Sequence, residues 1–378
     1  MRIAFYAPLK SPTHPTPSGD RRMARLLVQA LEKAGHIVDV TSHLRAYDGK
    51  GDPAHQSAIK SDGDRQAMGL LDAYLDGLRP RPDVWFTYHL FYKAPDWIGP
   101  RISQALGIPY VAAEASHAPK RAGGAWDMGH RATQNAIAMA SLVIGFNKDD
   151  EACVRDIAGA QSRVVTIPPF IDTAPYVAAG AERRTYRAMA AGQYNVSPMQ
   201  PWLLCVAMMR DGDKLESYRQ LAHALGNLSD RPWQLFVVGD GAARDDTQQA
   251  FGPIAERVSW LGEQESEALA GLYAACDLYI WPSVREAYGM AFIEAQASGL
   301  PVVGAHVGGV PGVVGAPETG VLVEPDDMAA FTTAVAGLLD NEPTRLSMGR
   351  RAQEYAVSRH SIDCAAKMLD ELLQGTLS

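Results

Sequence analysis

Short, unbroken apolar runs alternate with longer amphipathic stretches from Arg2 to Val323, and nothing else in the chain constrains the fold as strongly. In the first half the runs are Arg2–Ala7, Ile37–Thr41, Val84–Thr87, Tyr110–Ala113, Leu142–Gly145 and Val164–Ile167. In the second half they are Leu203–Ala207, Gln234–Val238, Val258–Leu261, Leu278–Trp281, Pro301–Gly304 and Gly320–Val323. Runs this short and continuous read as strands buried on both faces. Strands that alternate with helices imply a parallel sheet covered on both sides. Two sets of about six such strands predict an α/β chain of two doubly wound, Rossmann-like domains, and 378 residues suit that count at roughly 100–200 residues per domain.

The stretch after the first run carries Met23, Leu26, Leu27, Ala30, Leu31 and Ala34, one face of a helix of period 3.6, and Gly35 stops it. Ser361–Leu377 places Ala365, Met368, Leu369, Leu372 and Leu373 on one face, so it too reads as an amphipathic helix. Between the two sets the pattern loosens. Residues 1–174 read as the first domain, 175–198 as a connection and 199–360 as the second domain. Doubly wound sheets take ligands at the C-terminal ends of their strands. Two such domains facing a cleft would suit a reaction of two substrates, one on each.

A net charge of −8 argues against a nucleic-acid partner, which calls for a basic excess. The four cysteines lie far apart with no Cys-x-x-Cys pair, so neither a disulfide framework nor a zinc site is expected, and a reducing, cytoplasmic setting fits. MRIAFYAPLK has too short an apolar run for a signal peptide, and no run of about 18 apolar residues spans a membrane. Arg21, Arg22 and Arg25 leave two readings open: a solvated helix face, or a peripheral contact with anionic lipid at the inner membrane face.

The chemistry concentrates in "REAYGMAFIEAQASGLPVVGAHVGG". Glu286 and Glu294 stand there with seven residues between them. Leu278–Trp281 ends at Pro282, which places Glu286 in the loop at the strand's ligand edge. Gly289, Met290 and Ala291 should open the next helix, whose free N–H groups and dipole favour an anion. An acidic residue beside such a helix start can take ribose hydroxyls, so the arrangement suits a nucleoside diphosphate with its ribose on Glu294 and its cargo near Glu286. The bland alternative is acidic residues that only stabilise a helix dipole, by about 0.3–1 kcal/mol each.

The stretch "EAYGMAFIEAQASGLPVV…GG", together with "VVGDG", "VSWLGEQ", "LYAACDLYIWPS" and "GVLVEPDD", resembles the Glu-x7-Glu region of retaining GT-B glycosyltransferases, especially glycosyltransferase family 4. The resemblance spans nearly the whole second half. In the first half "PSGDRRMARLLVQALEKAGHIVDV" and "VVTIPPFID" carry a weaker likeness. It implies a GT-B fold, with the final helix, 361–378, packing back on the first domain. It implies transfer of a hexose-type sugar from a UDP- or GDP-linked donor to a glycan, lipid-linked or small-molecule hydroxyl, as in polysaccharide biosynthesis, with neither metal nor cofactor. Glu294 would bind ribose, Glu286 the donor sugar, the amides near Met290 and Ala291 the diphosphate, and Gly262 would lie near the base. Arg210 and Lys214, in "AMMRDGDKLESY", would neutralise the departing diphosphate, although their spacing departs from the family's commonest one and Ala207 replaces its glycine. Only Gly19 stands where two adjacent glycines are usual, so it either approaches the donor or merely follows a helix cap at Ser18. The family's histidine after the fourth strand falls near His117, displaced by about two residues, with Glu114 closer to the strand end and His89 a further candidate. Gly312 replaces a common glutamate.

Four other readings bear on these residues. An epimerase or a phosphorylase fits the same architecture. A NAD dehydrogenase fits poorly, because no strand-linked Gly-x-Gly-x-x-Gly occurs and "GDGAAR" matches it badly. A non-catalytic nucleotide-binding module leaves Glu286, Glu294, Arg210 and Lys214 together without a purpose.

Overall fold

A computed structural model of the protein describes residues 1–16, 18–148 and 151–377. The chain divides into two units, Met1–Ile167 with Ile362–Ser378, and Pro168–Ser361. The first holds β1 (Arg2–Tyr6), α1 (Gly19–Lys33), β2 (Ile37–Ser42), α2 (Pro53–Leu75), β3 (Val84–Leu90), α3 (Gly99–Leu106), β4 (Tyr110–Ala115), α4 (Asp127–Met139), β5 (Leu142–Gly145), α5 (Glu151–Arg155) and β6 (Arg163–Thr166). The second holds α6 (Ala174–Ala181), α7 (Arg183–Tyr194), β7 (Trp202–Val206), α8 (Asp213–Gly226), β8 (Gln234–Val238), α9 (Arg244–Ala250), β9 (Val258–Gly262), α10 (Ser266–Ala275), β10 (Leu278–Trp281), α11 (Met290–Ala297), β11 (Val302–Ala305), α12 (Val310–Val313), β12 (Gly320–Val323), α13 (Met328–Asp340) and α14 (Glu342–His360). The last helix, α15 (Ile362–Leu377), groups with the first unit and packs on α1, where Lys33 pairs with Asp363.

All twelve expected strands are present, in two parallel six-stranded sheets. The order is β2-β1-β3-β4-β5-β6 in the first unit and β12-β11-β10-β7-β8-β9 in the second. Each sheet therefore has a point where the winding reverses, between β1 and β3 in one and between β7 and β10 in the other. In doubly wound sheets the connections at such a point leave on opposite faces, and ligands bind there at the strands' C-terminal ends. β3 runs further than its apolar pattern suggests, because Tyr88 and Leu90 stay paired with Ala113 and Ala115 of β4.

Residues 175–198, expected as a connection, hold α6 and α7, which pack on α10 within the second unit. Alanines and two interior glycines, Gly180 and Gly192, blur their periodicity. Their fixed place comes from tertiary bonds: Arg183 and Arg187 both hold the largely buried Asp277 carboxylate ahead of β10, at 2.6 and 2.9 Å. The core of the second unit is built on fully buried Trp202, Trp281, Tyr218, Tyr273 and Tyr279, with Trp281 edge-on to Tyr218 at 4.9 Å. Such aromatic pairs add about 0.5–1.5 kcal/mol beyond area burial. No helix among the described residues is long and apolar enough to cross a membrane.

Candidate active site

The second unit's reversal point collects most of the sequence candidates. β7 and β10 are neighbours, with Leu203 opposite Leu278. The chain leaving β7 turns at Gly212, with φ of +78°, and starts α8, so Lys214 lies in its first turn. The chain leaving β10 passes Pro282 and Ser283 and reaches Glu286. Lys214 Nζ donates to Glu286 Oε2 at 2.7 Å, with side chains 26% and 21% exposed, and it stands 5.4 Å over the Trp281 ring. The two ends of this charge pair are thus reachable from solvent yet backed by an apolar wall.

Several bonds fix the Glu286 loop. Ser283 holds a left-handed φ of +61° while buried, an uncommon state for a residue with a side chain. The N–H of Val284 donates to Ser217 Oγ of α8 at 3.0 Å. The Glu286 carbonyl accepts from Gly309 at 3.0 Å, and a Cβ on Gly308 would stand 2.1 Å from that same carbonyl oxygen. The Gly308-Gly309 turn is therefore where the backbone closes on Glu286. A similar lacing joins the β7 and β8 loops: Met209 N–H donates to Asp240, and Cβ atoms on Gly239 and Gly241 would meet the carbonyls of Ala207 and Met209 at 1.9 and 2.2 Å. Gly262 closes β9 with φ of +65°, and its carbonyl accepts from Gly239 at 2.8 Å.

Gly289, at φ of +68°, caps α11, which begins at Met290 and Ala291 as expected, with no side chain on its first amides. Those N–H groups have no intrahelical acceptor. Glu294 lies one turn further on, and it is only 2% exposed. Tyr273 of α10 donates its hydroxyl to Glu294 Oε2 at 2.9 Å, an interaction the sequence did not signal, because a tyrosine on an amphipathic helix reads as core. Burial first, then the Glu294 charge, pushes the Tyr273 phenol far above its ordinary range, so it remains a donor. Arg210, expected beside Lys214, is exposed and makes no side-chain hydrogen bond or ion pair among the described residues.

The first-unit candidates separate into three places. Gly19 is the first residue of α1, in open space, and Ser18 caps the helix, its Oγ accepting from Arg21 N–H at 3.2 Å. Glu114 lies within β4 at φ of +55°, next to His89 of β3 at +62°. His117 lies beyond the strand and stacks on the buried His130, ring centroids 4.9 Å apart; burial first, then His130, lowers its pKa. His89 Nδ1 stands 3.1 Å from Asp20 Oδ1 of α1.

Residues 200–341 match the family described as glycosyl transferases group 1. That stretch lies within the second unit. The chain is similar along its full length to the D-inositol 3-phosphate glycosyltransferase of Corynebacterium aurimucosum, at 25% identity over 100% of this chain and 97% of that one. The enzyme of the same description from Corynebacterium efficiens is 36% identical over 146 residues, 36% of this chain and 34% of that one. In that match, and in the similar one to Corynebacterium diphtheriae, the chain spans about a third of the relative's length. Among solved structures, Anabaena Alr3699/HepE in complex with UDP superposes with a TM-score of 0.71 at 17% identity, over 99% of this chain and 100% of that one. The fold is GT-B, two parallel six-stranded α/β units.

Proposed function

We propose that the protein is a retaining, metal-independent glycosyltransferase that moves a hexose-type sugar from a UDP- or GDP-linked donor to a hydroxyl acceptor. The observation that carries this reading is the Lys214–Glu286 pair at the reversal point, in the loop that leads into α11, whose first amides carry no side-chain cap. Breaking the bond between the sugar's anomeric carbon and the diphosphate oxygen builds negative charge on the leaving group. Lys214 and the Met290 and Ala291 amides face that charge, and preorganised donors of this kind commonly lower a barrier by a few kcal/mol each. Arg210, exposed and uncommitted, closes on the diphosphate once it is bound.

Glu286 accepts hydrogen bonds from the donor sugar and holds it for attack. Glu294, which Tyr273 orients, takes the ribose hydroxyls. The acceptor oxygen bonds to the anomeric carbon on the face the diphosphate leaves, and the acceptor's proton passes to the departing phosphate oxygen. No covalent sugar–enzyme adduct forms. The first unit takes the acceptor. The description of the relatives, D-inositol 3-phosphate glycosyltransferase, makes a phosphorylated polyol the first acceptor to try.

A thermal-shift panel with UDP, GDP, ADP and NAD, each with and without EDTA, tests the reading. A ligand of the native state raises the midpoint by mass action. One nucleoside diphosphate should do so, unaffected by EDTA. No shift with any diphosphate sinks the assignment of the Glu294 region. Release of nucleoside diphosphate only in the presence of an acceptor separates a transferase from an epimerase or a phosphorylase.

A further inference from the structure

The second unit has a pocket of about 320 Å³ at the edge of its sheet that lies opposite Glu286. Asp277 leads into β10 and Pro301 into β11, so the pocket sits where those strands begin, whereas Glu286 follows the end of β10. Its walls come from α6, the turn after α11 and the first half of α14. α14 comes this close because it presents Gly349 to the Gly299 carbonyl, where a Cβ would stand at 2.2 Å.

Three arginines line the pocket against one carboxylate. Arg183 is committed: it donates to the Ala274 carbonyl at 2.7 Å and to Asp277 at 2.6 Å. Asp277 is held a second time, by Arg187 at 2.9 Å. Arg345 and Arg350 of α14 pair with no carboxylate among the described residues. Arg345 is only 6% exposed, and so is Ser298. Nη1 of Arg345 donates to the Leu338 and Leu339 carbonyls, in the last turn of α13, at 2.6 and 3.2 Å. Its Nε and the Ser298 hydroxyl are buried with no hydrogen-bond partner among the described residues. Buried polar groups are nearly always hydrogen-bonded, and buried charges nearly always paired. A buried guanidinium that has two neutral carbonyls and no anion lacks the counter-charge its burial calls for.

We propose that this pocket binds the phosphate group of a small anionic ligand, with Arg345 at its floor and Arg350 at its rim. Planar guanidinium groups match phosphate oxygens through paired N–H donors. The volume takes a phosphate ester of a small polyol as readily as inorganic phosphate, and both present the same dianion to the arginines. A purely structural reading has Arg345 cap the carbonyls of α13 and nothing more. That reading gives Arg350 no role, because its side chain is exposed and makes no hydrogen bond or ion pair among the described residues. Arg350 therefore carries the test.

Calorimetric titration of the full chain with inorganic phosphate, glucose 6-phosphate and, as an uncharged control, glucose measures the binding. Arg350→Ala should weaken phosphate affinity at least about 10-fold, the scale of one lost charge-assisted hydrogen bond, at an unchanged melting temperature. Arg350→Lys should recover part of that loss. Lys214→Ala, at the opposite edge of the sheet, should leave the phosphate affinity unchanged. Glucose 6-phosphate that binds more tightly than phosphate identifies a phosphate ester as the ligand, and equal affinities identify phosphate itself. Absence of binding by both compounds at millimolar concentration overturns the proposal, as does a phosphate affinity that Arg350→Ala does not change. Binding lost in Lys214→Ala and kept in Arg350→Ala overturns it as well, since the phosphate then sits at the Glu286 edge.

Discussion

Lys214 and Glu286 are 72 residues apart in the chain and 2.7 Å apart in space. They meet because β7 and β10 are adjacent, so each residue follows the C-terminal end of one of the two strands that flank the reversal of the sheet. A cation and a carboxylate side by side can serve opposite ends of one bond, the leaving diphosphate and the sugar it leaves.

Replacing either partner should separate binding from chemistry. Glu286→Ala is expected to abolish transfer while nucleotide binding stays largely intact. Lys214→Ala should lower kcat by about 10²–10³-fold, the range seen when one donor to a developing negative charge is removed. Steady-state rates set beside nucleotide thermal shifts measure both, and unchanged turnover in the Glu286 variant would sink the assignment.

Tyr273→Phe should weaken fold and nucleotide affinity together. It leaves a buried carboxylate oxygen without its hydroxyl donor, a loss of about 1–3 kcal/mol. It also frees the Glu294 side chain that the phenol orients. Chemical denaturation and calorimetric titration with the bound nucleotide are the checks; a variant with wild-type stability and affinity would show that the phenol orients nothing.

Glycine substitutions should sort by what their Cβ meets. Gly239→Ala drives a methyl against the Ala207 carbonyl at a positive φ of +136°, and Gly308→Ala drives one against the carbonyl of Glu286. Both should destabilise by more than about 1 kcal/mol, and Gly308→Ala should reduce turnover by moving Glu286. Gly312 has nothing within 4 Å, so Gly312→Glu, the residue the family commonly carries, should change the unfolding free energy by less than about 0.5 kcal/mol. Urea melts of the three variants would rank them, and a reversed order would refute the close-approach argument.

His360 should make stability depend on pH. It is fully buried, its Nδ1–H donates to the Pro169 carbonyl at 2.7 Å, and burial lowers its pKa from 6.5 to about 4. The unfolded chain binds this proton below pH 6.5 and the folded chain only below about 4. The stabilisation is therefore complete above pH 6.5, is lost as pH falls toward 4 and changes no further below it. The gap is worth roughly 3 kcal/mol at about 1.4 kcal/mol per pH unit. His360→Gln should flatten the curve between those limits in denaturant melts run at several pH values; an equal slope in both proteins would remove His360 from the account.

The local features were legible because their causes are local. Continuous apolar runs and the 3.6 rhythm of α1 reflect which faces must leave water, so twelve strands and two doubly wound sheets follow from the sequence. The placement of Glu286 after β10 and of Met290 at the start of α11 also follows, from Pro282 and Gly289 acting on their own neighbours. What the sequence could not decide was which strands lie side by side. That depends on how each crossover packs back on its sheet, and it alone brings Lys214 to Glu286 and Asp20 to His89. It also leaves Arg210 exposed, seals Glu294 under Tyr273 and makes Gly239 and Gly308 points of backbone contact. Each of these joins chain segments through a distance of a few ångströms that no periodicity records, so only the tertiary structure settled them.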